Sequence, residues 1–135
     1  IQVGRLNPKG DPYVQVGEGG SYAELKSRAD IGDKITPHHM PQKKMGFTSE
    51  AEGGCVTCFE AEHMKTRTWG PSGKVTAKAD AGVPFRDLLA RDIRDFRQIN
   101  GTKYDPGIRR MLEYYHSNFP ALMAKPKIDV GGGSF

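Results

Sequence analysis

The strongest pattern of apolar and polar positions lies in the last third of the chain. Phe85, Leu88, Leu89, Ile93 and Phe96 recur at intervals of three and four, with Arg86, Arg91, Arg94 and Arg97 between them. This spacing predicts an amphipathic helix over about 84–98. After Asn100-Gly101, the run Ile108, Met111, Leu112, Tyr115 and Phe119 predicts a second such helix. Asp105 is its expected N-cap, Pro106 belongs to its first turn, and Pro120 ends or kinks it. Upstream, Ser21-Tyr-Ala-Glu24 has the spacing of a capping box and predicts a helix over about 22–29. Cys55-Val-Thr-Cys-Phe59 is a short β-compatible run behind Gly53-Gly54 and predicts one buried strand. The stretches 30–54 and 67–82 are polar, basic and turn-rich with no sustained period, so they are expected to be long loops. Residues 1–20 read as a flexible N-terminal segment and 125–135, with Gly131-Gly-Gly133, as a flexible tail, leaving 21–124 as the folded unit. Helices combined with a strand make the expected class α+β.

A length of 135 residues suits one domain. With 36% hydrophobic and 27% charged residues, the composition is that of a soluble globular domain. No apolar run approaches the roughly 18 residues of a membrane span, so no membrane partner is expected. The opening stretch has no apolar core behind a basic start, so any export signal is expected elsewhere. Its start at Ile1, among Gly and Pro, reads as a domain cut from a longer polypeptide. The net charge of +4 tilts the expected partner toward a polyanion.

The chain has four histidines, and two of them, His38 and His39, are adjacent. In an extended segment adjacent side chains point to opposite sides, so one imidazole can bind a metal while its neighbour faces a substrate water. Phosphodiester hydrolysis uses such a division, with a cation on the phosphate and a neutral imidazole taking the water's proton. His63, just past the predicted strand, can close the metal site from the other side. The plainer alternatives are a solvated surface for the His-His pair and for His63, and a place on the helix surface for His116. Cys55-Val-Thr-Cys58 fits a disulfide, half a zinc site or ordinary strand residues, of which the last is the expectation.

Three segments carry a family likeness: Gly32-Asp-Lys-Ile-Thr-Pro-His-His-Met-Pro41, Glu62-His-Met-Lys-Thr-Arg-Thr-Trp-Gly70 and Phe85-Arg-Asp-Leu-Leu-Ala-Arg-Asp-Ile-Arg-Asp95. Tyr104-Asp-Pro-Gly-Ile-Arg-Arg-Met-Leu-Glu-Tyr114 extends it, so that it covers about 21–117. In this order they resemble a toxin family found at the C-termini of Rhs and other polymorphic toxins. Such domains look like members of the ββα-metal superfamily, the HNH and endonuclease VII-like nucleases. The resemblance implies a small ββα-metal hairpin-helix motif packed with the C-terminal amphipathic helices, holding one divalent ion (Mg, Mn, Zn or Ni). Carried over, His38 is a metal ligand, His39 the general base and His63 a further ligand. His38 and His39 can exchange parts, and Glu62 can ligate instead of, or beside, His63. Arg67, Lys65, Lys43 and Lys44 are the expected phosphate contacts. DNA is the preferred substrate, with RNA open, and a cognate immunity protein is the expected partner. The implied life history is secretion or delivery from the producing bacterium and action in the target cell's cytoplasm.

Two other chemistries compete. A nucleobase deaminase needs a glutamate two residues after its histidine and a proline before the first cysteine of its CxxC pair. This chain has neither, since Met40 or Pro41 stands in the first place and Gly54 in the second. A zinc-stabilised nucleic-acid-binding module without catalysis would use Cys55, Cys58, His63 and one of His38 or His39 as four ligands.

Overall fold

The computed structural model describes residues 5–124. In chain order the elements are β1 (Gly19–Ser21), α1 (Tyr22–Ser27), β2 (Ile35–His39), β3 (Gly54–Phe59), α2 (Glu60–His63), α3 (Gly70–Ala79), α4 (Phe85–Asn100), α5 (Asp105–Asn118) and α6 (Pro120–Met123), with a 3-10 turn at Lys43–Met45. The fold is therefore α+β, with a small antiparallel sheet ordered β1-β3-β2. No helix among the described residues is long and apolar enough to cross a membrane.

The central strand β3 is the one the composition predicts, one residue longer at Gly54. It is covered on both faces, which is why it reads as a continuous apolar run without alternation. Val56 and Cys58 face a core built from Phe85, Leu89, Ile93 and Phe96 of α4 and Ile108, Met111 and Tyr115 of α5. Cys55 faces the opposite way, into a small cluster with Val14 and Leu25. Helix α5 comes close enough to β1 that a Cβ on Gly19 would fall 1.9 Å from the carbonyl oxygen of Gly107. At the start of α1, Ser21 is the N-cap and its Oγ accepts from Glu24 N at 3.1 Å. The Glu24 carboxylate turns instead to Arg28.

The structure corrects three expectations. The stretch 30–54 contains β2, paired in register with β3 so that His38 stands opposite Val56 and His39 opposite Cys55. Its Thr-Pro-His-His sequence hides a strand because β2 is at the sheet edge, where a proline costs no ladder bond if its nitrogen faces outward. The stretch 67–82 contains α3, whose Gly-Pro-Ser-Gly start looks like a turn although proline suits a first helical turn. Only Gly73 of α3 is buried, so the helix leaves no apolar stripe in the sequence. In the N-terminal segment, Val14 is buried, its amide donates to Arg28 O at 2.8 Å, and Leu6 bridges to Pro12. Asp105 is the first residue of α5 rather than its N-cap, and its carboxylate pairs with Arg97 at 3.1 Å. The expected tail at 125–135 lies outside the described residues.

The ends of β2 and β3 are joined by a side chain. The Tyr115 hydroxyl donates to Met40 O at 2.7 Å and accepts from Gly54 N at 2.7 Å, all of it buried. Tyr115→Phe strands both backbone groups, and one unsatisfied buried group costs about 1–3 kcal/mol. We expect urea unfolding to register a loss of that size. An unchanged midpoint would mean that the two amides find other partners.

Candidate functional site

Alternation along β2 separates the paired histidines. His38 shares the face of Val56 and lies 2% exposed over Phe96, with ring centroids 5.3 Å apart. His39 takes the other face, stacked on Tyr22 at 4.7 Å with ring planes 18° apart. His39 Nε2 lies 2.9 Å from the Glu50 carbonyl oxygen. A carbonyl only accepts, so this nitrogen carries the proton and Nδ1 keeps its lone pair. Gly53 makes room for the ring, since a Cβ there would come within 2.6 Å of His39 Cδ2.

His63, the last residue of α2, returns to the same place from the far end of β3. Its ring centroid is 4.9 Å from that of His38, and its Nδ1 lies 2.8 Å from Thr36 Oγ1. His38 Nε2 is buried and has no hydrogen-bond partner among the described residues, which is costly unless something else meets it. The three histidines line one open cleft of about 290 Å³ together with Tyr22, Lys43 and Glu50.

Burial, more than charge, sets the protonation of these rings. It pushes His38 well below the ordinary histidine range, with His63 and His39 adding to the effect. Burial likewise lowers His63 to about 4 and lowers His39, against the pull of the Glu50 carbonyl. All three imidazoles are neutral near pH 7, the form that donates a lone pair to a metal or accepts a proton.

The other expected site residues do not all gather here. Glu62 is turned away from the cleft, hydrogen-bonded by the Tyr104 hydroxyl and the Lys103 ammonium. Arg67 is committed to the interior: it holds Asp80 at 2.9 Å and Asp92 at 2.6 Å, both 2% exposed, and its amide donates to Asp95 at 2.9 Å. Arg91 adds a second bond to Asp80 at 3.0 Å. Burial raises Asp92 to about 6 although Arg67 pulls it down. Lys43 and Lys44 line the cleft, Lys43 pairing with Glu50 at 2.6 Å, and Lys65 is exposed. Cys55 and Cys58 are buried free thiols on opposite faces of β3, so a single ion cannot take both without dismantling the strand. Among the described residues, no three or more His, Cys, Asp or Glu side chains gather to hold a metal. The residues that sequence reasoning missed are Thr36, Tyr22 and Glu50, which orient the histidines from positions with no motif of their own.

No protein-family model, curated protein or solved structure matches this chain.

Two predictions follow from the electrostatics. Arg67→Ala leaves Asp92 buried without its cation and Asp80 with Arg91 alone, and breaking a buried pair in this way typically costs about 3–5 kcal/mol. Urea unfolding should show that loss, while a variant of exposed Lys44 keeps wild-type stability. If Arg67→Ala is as stable as wild type, the ion-pair network is not structural. The second prediction concerns His63, whose folded value near 4 lies below the ordinary 6.5. The unfolded chain therefore takes up the proton first. The stability this histidine leaves intact above about pH 6.5 is lost as pH falls toward about 4. In chelator, the thermal midpoint of the wild type should fall more steeply with acidification than that of His63→Gln, in which the opposite trend of Asp92 is still present. Parallel slopes would contradict this assignment.

Proposed function

We propose that this domain is a metal-dependent nuclease, the C-terminal toxin domain of a polymorphic toxin, and that it hydrolyses phosphodiester bonds in DNA. The observation that carries the reading is the buried, unpartnered Nε2 of His38, set against the ring of His63 at one wall of an open cleft. An apolar partner would leave that nitrogen at a cost, whereas a cation satisfies it. Antiparallel β2 and β3, followed at once by α2 with His63, have the strand-strand-helix order that the ββα-metal reading requires.

The donor set fits a divalent ion. His38 and His63 would hold it, with Thr36 Oγ1 accepting from His63 Nδ1 in the tautomer that presents Nε2. With two protein ligands, open positions would remain for phosphate and water, and Glu62 would take no part while Tyr104 and Lys103 hold it. The ion would supply positive charge against the phosphate oxygens. The proton chemistry belongs to His39. Its Nε2 proton is held by the Glu50 carbonyl, so Nδ1 takes the proton of the attacking water as the new P–O bond forms and the bond to the leaving sugar oxygen breaks. That oxygen leaves with a proton from solvent. Tyr22 keeps the ring from turning, and Lys43 and Lys44 draw the polyanion to the cleft. A cognate immunity protein with an acidic face would block the same basic rim, and delivery into a target cell's cytoplasm would bring the domain to its substrate.

His39→Ala should cut plasmid DNA about 10²- to 10⁴-fold more slowly, the usual range for loss of a general base. His38→Ala should be at least as damaging through lost metal affinity, and chelator should abolish cleavage by the wild type. Circular dichroism should be unchanged in both variants. Wild-type rates in both would sink the reading, and cleavage of total RNA with plasmid spared would reassign the substrate.

A further inference from the structure

The only tryptophan of the chain, Trp69, packs against one histidine of the cleft. Its neighbours Thr68 and Gly70 both line that cleft. Its ring meets His63 edge to face, with centroids 4.7 Å apart. Even so, 37% of Trp69 remains exposed, so an aromatic residue in contact with a cleft histidine is also within reach of solvent. The backbone holds it there. Trp69 N donates to Thr66 O at 3.2 Å, and α3 begins at the next residue. Behind it, a Cβ on Gly73 would fall 2.6 Å from the Thr68 carbonyl oxygen, and the Gly73 carbonyl accepts from Gln42 Nε2 at 3.1 Å. The segment carrying Trp69 is thus packed down on both sides while the ring stays open.

An aromatic plane next to a phosphate site is suited to stack a nucleobase, and such stacking is largely indifferent to which base it is. Inside a duplex both faces of every base are already covered by its neighbours. Only an unpaired or extruded base has a face to offer. We propose that Trp69 is a stacking platform for an unpaired base beside the scissile phosphate, so that the domain prefers single-stranded or locally melted nucleic acid over intact duplex. The inference rests on the nuclease reading of the cleft. It makes Trp69 a positioning and specificity residue rather than a catalytic one.

A single tryptophan lets the intrinsic fluorescence report on this residue alone. In chelator and low salt, the protein is titrated with a single-stranded oligodeoxynucleotide, its duplex, and an abasic strand of equal length. The single strand should quench the fluorescence strongly, and the duplex and abasic strand weakly. Anisotropy of labelled strands should show Trp69→Ala binding the single strand roughly ten- to hundredfold more weakly, as loss of one stacked base implies. Trp69→Phe should stay within a few fold, duplex binding should be unmoved, and thermal midpoints of both variants should check that they fold. Equal quenching by the abasic strand, or unchanged single-strand binding in folded Trp69→Ala, would overturn the platform and leave the nuclease reading standing. Failure of every nucleic acid to bind, with no cleavage when metal is restored, would overturn both.

Discussion

The hydroxyl of Tyr115 lies between two backbone groups that have no water to turn to, the carbonyl of Met40 and the amide of Gly54. Met40 follows the histidine pair directly, and Gly54 opens the central strand, so one phenol on α5 locks the end of β2 to the start of β3. Leaving either group unpaired would favour separation of the strands. The histidine geometry depends on that register, because sliding β2 by one residue would exchange the faces of His38 and His39. Close packing around Tyr115 reinforces the lock: a Cβ on Gly54 would lie 2.5 Å from its ring. Helix α5, far along the chain from the histidine pair, is in this way part of their support.

The buried carboxylates of this molecule are paired outside the histidine cleft. The cleft is lined by rings that burial holds neutral, while Asp80 and Asp92 are held by Arg67 and Arg91. That network ties α4, the loop before α3 and the residue after α3 into one piece. It fixes the stretch from His63 to Trp69 without placing a formal charge against the imidazoles. Lys43 and Lys44 bring positive charge to the cleft lining, and Lys43 is paired there with Glu50 at 2.6 Å.

The parts legible in the sequence are those governed by local rules. Helices α4 and α5 repeat apolar residues at helical spacing because each buries one stripe, and the opposite facing of His38 and His39 follows from strand parity alone. Strand β2 was illegible because an edge strand need not be apolar, and α3 because an exposed helix need not be amphipathic. The ion pairs of Arg67 are hidden because nothing nearby in sequence announces Asp80 and Asp92 as its partners. The hydrogen bonds to Glu62 are hidden for the same reason, their donors Lys103 and Tyr104 lying beyond α4. The supporting residues Thr36, Tyr22 and Glu50 act through register and backbone carbonyls, which leave no motif.

Pro37 has a consequence beyond hiding its strand. The outer edge of β2 is the natural place for another chain to add a strand to this sheet, and a strand added there would run alongside both cleft histidines. Proline has no amide hydrogen, so that row of donors is broken midway, one residue before His38. A partner that reaches this edge must grip it through side chains rather than by backbone pairing. This flank of the cleft is thereby a poor template for sheet extension between copies of the chain.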